Sequence, residues 1–386
     1  MKTSTSQLKK NEMSSNDLVE SLIREELKSL KPYESARRLF SMSGSDDLDT
    51  IWLNANENPY SPEVSADPSL YNRYPDFQPE PLINAYASYA QVSTDQVLAT
   101  RGADEGIELL IRTFCSAGQN ILICPPTYGM YAISAETAGV NVLKVPLLEV
   151  DSGQTVTFKL DVSSVVEQAN NAQIVFICSP NNPTGDIMDK DDLIAVLNAT
   201  KEKSIVVADE AYIEFCSEAT VVDLLSEYPN LVILRTLSKA FALAGLRCGF
   251  TLSSASIIDA LKKVIAPYPI PAPVAQMATQ ALSNKGLAWM QTRVTELNNR
   301  RDAFIEEAQQ WSFAQTVYPS KTNFVLIKLS KLSADFVMNT FIKKHILLRN
   351  QSKQLLLNDT IRVTIGSEAE MNAVIDVFTQ LESTLD

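Results

Sequence analysis

The chain has 386 residues, 45% of them hydrophobic and 20% charged, with a formal net charge of -13. This length and apolar content suit a globular protein with room for two domains, and the negative balance argues against nucleic acid or an anionic membrane surface as a partner. A single histidine rules out a histidine-based metal cluster, and five cysteines without a CxxC pair argue for a reducing compartment over a disulfide framework or a zinc site.

In chain order, residues 1–15 lack an apolar core and read as a flexible tail without a targeting signal. No later apolar run approaches a membrane span, so cytoplasmic residence is expected. Over residues 16–30, Leu18, Val19, Leu22, Ile23, Leu27 and Leu30 recur at helical spacing. This amphipathic helix opens an arm, 16–49, that joins a small domain. From 50 to 265 apolar runs alternate with helical stretches, the pattern of a mostly parallel sheet covered on both faces. Within it, Glu105 to Cys115 reads as a helix, and Ile174 to Cys178, Ile205 to Ala208 and Leu231 to Leu234 read as buried strands. Residues 266–273 hold four of the 18 prolines, cannot sustain a helix and are read as a hinge. A smaller α+β domain, 274–386, follows: helical to Gln310, a strand over Asn323 to Leu329, a helix over Ala334 to Lys344, and a strand in which Ile361, Val363 and Ile365 alternate with Arg362 and Thr364. His345 reads as structural.

The three buried strands lead into residues that carry chemistry. The first opens into Ser179-Pro180-Asn181-Asn182-Pro183-Thr184-Gly185, the second into Asp209-Glu210-Ala211-Tyr212, and the third into a segment holding Thr236, Ser238, Lys239 and Arg247. In open α/β sheets ligands lie beyond the carboxyl ends of the strands, so Asn182, Asp209 and Lys239 belong to one crevice. An amine can form a Schiff base with an aldehyde, and two hydroxyls and a guanidinium beside it can hold a phosphate. Backbone amides at Gly102-Ala103-Asp104, opening the Glu105 helix, add a second anion-facing wall. Taken singly, each residue has an ordinary reading. Asn182 suits a turn, Asp209 a helix cap, Tyr212 a core aromatic, Lys239 a surface position, Arg247 an ion pair and Arg362 an exposed strand position.

The order Asn182, Asp209, Tyr212, Lys239, Arg247 resembles the fold-type I pyridoxal phosphate aminotransferases. Lys31 to Arg38, Leu53-Asn54-Ala55-Asn56-Glu57-Asn58-Pro59, Arg73-Tyr74-Pro75, Arg101 to Glu105, Pro126 to Tyr131, Ile346 to Arg349 and Ile361 to Gly366 are similar to the histidinol-phosphate aminotransferase family within them. The resemblance runs from about Pro32 to the end. It implies an α/β fold with a mostly parallel sheet covered by helices on both faces, a smaller α+β domain, and pyridoxal 5'-phosphate as cofactor. Lys239 would carry the cofactor and shuttle a proton between the substrate carbon and the cofactor's C4′. Asp209 would pair with the pyridinium nitrogen, Asn182 and Tyr212 would bond the phenolic oxygen, and Tyr128 would stack on the ring. Ala103, Asp104, Thr236, Ser238 and Arg247 would hold the phosphate, together with Tyr74 reaching across from a second subunit of a homodimer with shared sites. Tyr33, Arg349 and Arg362, with Asn182 beside them, would bind the anionic group common to histidinol phosphate and glutamate or 2-oxoglutarate.

Two other readings remain. Threonine-phosphate decarboxylase shares the lysine, aspartate and arginines but releases carbon dioxide; Tyr33 and the run to Arg38 favour the aminotransferase. A ligand-sensing regulator would need a fused basic DNA-binding module, and the stretch before Pro32 is too short for one.

Overall fold

The computed structural model describes residues 22–28, 30 and 50–385. The expected tail, most of the arm and Tyr33 lie outside the described residues; of the amphipathic helix expected over 16–30, the described part is helical at Leu22 and over Glu25–Lys28 but breaks at Ile23 and Arg24. The strands are β1 (Ile51–Trp52), β2 (Val97–Thr100), β3 (Asn120–Ile123), β4 (Asn141–Lys144), β5 (Leu148–Asp151), β6 (Val156–Lys159), β7 (Ile174–Cys178), β8 (Ile205–Asp209), β9 (Leu231–Thr236), β10 (Gly249–Ser253), β11 (Ala314–Val317), β12 (Phe324–Leu329), β13 (Ile346–Leu347), β14 (Arg349–Asn350) and β15 (Thr360–Thr364). The helices are α1 (Glu25–Lys28), α2 (Glu80–Ala90), α3 (Ala103–Phe114), α4 (Met130–Thr137), α5 (Val162–Ala169), α6 (Lys190–Thr200), α7 (Ala255–Lys262), α8 (Ala272–Ala281), α9 (Asn284–Ala308), α10 (Ala334–Ile342) and α11 (Glu368–Glu382).

The large sheet has seven strands in the order β2-β10-β9-β8-β7-β3-β4. Only β10 is antiparallel, to both β2 and β9. The carboxyl ends of β2, β3, β7, β8 and β9 therefore share one edge. The continuous apolar runs follow from burial on both faces. Ile174, Phe176, Cys178, Val207, Val232 and Leu234 enter one core, while Val175, Ile177, Val206, Ala208, Leu231 and Ile233 enter the other. A two-residue period splits each strand between two helical layers.

The small sheet is antiparallel, in the order β11-β12-β15-β14. The segment after β1 ties it to the large sheet. β1 pairs in parallel with β13, Thr364 N–H donates to the Leu53 carbonyl at 3.2 Å, and Asn58 Nδ2 donates to the Ala240 carbonyl at 3.2 Å. Residues 51–58 thus carry β15 up to the loop that follows β9.

One expectation needs correction. Residues 266–273 are not all non-helical, because α8 begins at Ala272 with Pro271 as its N-cap and Pro273 in its first turn. A first-turn proline lacks only an N–H that has no intrahelical acceptor, so it starts a helix without penalty. Among the described residues no helix is long and apolar enough to cross a membrane.

Candidate active site

Asp209 closes β8 and is 2% exposed. Its Oδ2 accepts from the Tyr131 hydroxyl at 2.6 Å and its Oδ1 from the Ala211 N–H at 3.1 Å. Burial pushes the carboxyl up to about 6, against the two donors, which hold it down.

Lys239 lies three residues beyond β9. Its Nζ donates to the Ala55 carbonyl at 2.9 Å and sits 5.6 Å from the centroid of the Tyr212 ring. Burial, followed by the charge of Arg362, brings the amine down to about 8; Arg247 pushes the same way and Glu57 and Asp104 oppose it. An amine so depressed has a neutral, nucleophilic fraction near physiological pH that an ordinary lysine lacks. Tyr212 is 3% exposed, its hydroxyl accepts from Asn56 Nδ2 at 2.8 Å, and burial raises its pKa.

The anion cup is built where β2, β9 and β10 meet. Thr236 Oγ1 donates to Ser238 Oγ at 2.9 Å, Ser238 N–H donates to Thr236 Oγ1 at 3.1 Å, and Arg247 Nη1 donates to Ser238 Oγ at 3.3 Å. Arg247 Nη2 meets Asp104 Oδ2 at 3.1 Å, at the start of α3, and Asp104 Oδ1 accepts from the Tyr128 hydroxyl at 2.9 Å. Gly102 stands before α3 with φ +79°, and a Cβ there would lie 2.9 Å from Arg247 Nη2. Glycine is what lets the guanidinium approach the helix N-terminus. Helix amides, hydroxyls and a half-exposed guanidinium form a donor set for a phosphate. An amine for an aldehyde carbon and a buried carboxylate for a ring nitrogen complete it, so these residues fit pyridoxal 5'-phosphate.

A second cationic cluster faces the same crevice. Arg349 and Arg362 stand directly opposite each other on β14 and β15. Arg362 is 6% exposed, not the exposed strand arginine that its sequence also allowed. Its Nη1 donates to Asn182 Oδ1 at 2.5 Å, its Nη2 to the Asn54 carbonyl at 3.1 Å, and its guanidinium carbon lies 5.1 Å from the Phe324 ring centroid.

Lys239, Asp209, Tyr212, Asn182, Thr236, Ser238, Arg247, Ala103, Asp104, Tyr128, Arg349 and Arg362 thus gather along the carboxyl edge of the large sheet. Tyr74 does not: it is 83% exposed and stacks on Tyr268 at 4.5 Å. Sequence reasoning assigned no role to Tyr131, Asn56 or Phe324. The signal for Tyr131 is its place three residues after Tyr128, which puts both rings on one side of the start of α4. Their centroids are 5.6 Å apart, edge to face.

The family model for class I and II aminotransferases matches residues 44–378. The histidinol-phosphate aminotransferase of Aeromonas hydrophila is 50% identical over 366 residues, covering 95% of this chain and 99% of that protein. Histidinol-phosphate aminotransferase 1 of Pasteurella multocida is 47% identical, covering 94% and 99%. Among solved structures, the histidinol-phosphate aminotransferase of Sinorhizobium meliloti in complex with pyridoxal-5'-phosphate superimposes with a TM-score of 0.80 at 22% identity, over 95% of this chain and 99% of that one. At that identity the likeness speaks for the fold.

Proposed function

The chain belongs to the histidinol-phosphate aminotransferase family of class I and II aminotransferases, and from that premise we propose that it transfers the amino group of L-histidinol phosphate to 2-oxoglutarate, giving imidazole acetol phosphate and L-glutamate, with pyridoxal 5'-phosphate as cofactor. The observation that carries the reading is the placement of Arg362, opposite Arg349 on the neighbouring strand, close enough to Lys239 to lower its basicity. Both substrates of a transaminase use one site in turn, and a phosphate and a carboxylate can each present two oxygens to the fork of a guanidinium.

Bound in the site, the cofactor supplies an electrophilic carbonyl carbon and an electron sink. Lys239 would hold that carbon. Its amine would also move the proton between the substrate carbon bearing nitrogen and C4′, one residue serving as nucleophile and base. Asp209 would pair with the ring nitrogen in a buried setting and keep it protonated. Thr236, Ser238, Arg247 and the amides of Ala103 and Asp104 would hold the cofactor phosphate, Tyr128 would cover the ring, and Asn182 and Tyr212 would orient its phenolic oxygen. We further propose a homodimer in which Tyr74 of each chain completes the partner's phosphate cup, a role suited to an exposed aromatic. Tyr33, on the arm, is proposed as a further contact to the substrate anion.

Purified protein loaded with cofactor and given histidinol phosphate alone is expected to lose the visible cofactor band and gain the near-ultraviolet band of the pyridoxamine form. Adding 2-oxoglutarate then restores the first band. Replacing Arg362 with Gln weakens both substrates together, by about tenfold or more for the loss of a charge-assisted bond. Carbon dioxide release from threonine phosphate without a half-reaction on histidinol phosphate would overturn the assignment in favour of a decarboxylase.

A further inference from the structure

We propose that Tyr131 is a positioning residue for Asp209: its buried hydroxyl fixes the carboxylate's orientation and holds it as the weaker base of the pair it makes with the cofactor's ring nitrogen. Tyr131 lies in the first turn of α4 and is fully buried. Its ring stacks on Phe176 of β7 at 4.7 Å with 12° between the planes, and its edge contact with Tyr128 closes the other side. From there the hydroxyl reaches across to Asp209 on the neighbouring strand, where Cys178 and Asp209 are in register. A ring packed on both sides cannot follow a moving partner, so the 2.6 Å bond fixes the carboxylate.

Asp209 and the ring nitrogen share one proton, and where it resides depends on which is the stronger base. A buried carboxylate short of donors gains basicity and would draw the proton to itself. A donated hydroxyl proton lowers that basicity and leaves the shared proton on nitrogen, where it supports electron withdrawal. The other ionisable groups around Asp209 do not supply this. Asp104 and Glu210 raise the carboxyl's pKa, while Cys178 and Tyr212 are held neutral by burial. Among the described residues, the Ala211 N–H is the one donor that acts alongside Tyr131.

The inference rests on the proposed pairing of Asp209 with the ring nitrogen, and the test separates the two. Wild-type protein, Asp209→Asn, Tyr131→Phe and Phe176→Leu are each loaded with cofactor carrying ¹⁵N in the ring, and the nitrogen shift is read at one pH. Cofactor affinity is measured in parallel by equilibrium dialysis. Tyr131→Phe keeps the ring and its packing. Its nitrogen signal is expected to move toward that of unprotonated pyridine, with affinity lower by about tenfold. Phe176→Leu loosens the stack but keeps the hydroxyl, and its signal is expected to move less than that of Tyr131→Phe. An unchanged signal in Tyr131→Phe, or an equal shift in Phe176→Leu, overturns the role of Tyr131. If wild type and Asp209→Asn give the same signal, the Asp209 pairing itself falls.

Discussion

At the level of single residues, the site depends on an amine kept less basic than lysine normally is. Burial does most of this and the guanidinium of Arg362 adds to it, an effect that can be tested apart from the proposed role of Arg362 toward substrate. Cofactor-free protein mixed rapidly with pyridoxal 5'-phosphate should capture it faster as pH rises, because only the neutral amine attacks a carbonyl, and the rate should level off above about 8. In Arg362→Gln the neighbouring cation is gone, the ammonium is easier to keep, and the midpoint moves upward while staying below an ordinary lysine's because burial remains. A midpoint that does not move would show that the two side chains are not electrostatically coupled. The neighbouring pair Asp209-Glu210 makes a related point about legibility. Both are acidic and adjacent in the sequence, yet Asp209 turns to Tyr131 while Glu210 bonds Arg235 Nε at 2.8 Å in a buried ion pair. Strand alternation predicts that they diverge; which of the two meets the site depends on the side from which α4 packs, and no local pattern encodes that.

At the level of elements, the strands that carry the site were legible because they are buried on both faces and their apolar runs are unbroken. β7 spans Ile174–Cys178 as read, and β8 and β9 extend the runs only to Asp209 and Thr236. The short pieces were not legible. β1, β13 and β14 have two residues each, too few for any period, and exist because partners on distant segments pair with them. β10 is a similar case: it is the one antiparallel strand of the large sheet, and its apolar residues do not reveal its direction. Its first residue shows why the direction matters. A Cβ on Gly249 would lie 2.7 Å from the Gly102 carbonyl carbon, 2.8 Å from Ala103 N and 2.8 Å from the Arg235 carbonyl oxygen. All three are backbone atoms and cannot rotate away. Gly249→Ala should therefore push β10 from the turn that opens α3, costing roughly 1–3 kcal/mol of stability and misplacing the helix amides at the phosphate cup. Urea unfolding of the cofactor-free protein and the cofactor dissociation constant should both change. Stability lost with affinity intact would mean that the turn does not serve the cup.

At the level of the whole molecule, the chain carries a net charge of -13 and yet places Arg247 and the opposed Arg349 and Arg362 along one crevice, where the proposed site holds anions. The same crevice leaves Tyr74 outside, stacked on Tyr268 with 83% and 49% of the two residues exposed. Two large aromatics open to solvent on one patch suit a protein interface. In the proposed dimer each site combines Lys239 of one chain with Tyr74 of the other, and this arrangement has a consequence that a self-contained site does not share. Lys239→Ala and Tyr74→Ala homodimers are each defective in both of their sites. A mixed dimer of the two places both defects in one site and leaves the other intact. Co-expression with separable tags, followed by isolation of the doubly tagged species, should recover activity in half of the sites of that species; unfractionated random pairing gives about one quarter of the wild-type sites. Cofactor titration of the isolated hybrid should likewise show one tight site per dimer. Activity no greater than the sum of the two parents would mean that Tyr74 serves its own chain or none, and the shared-site dimer would have to be abandoned.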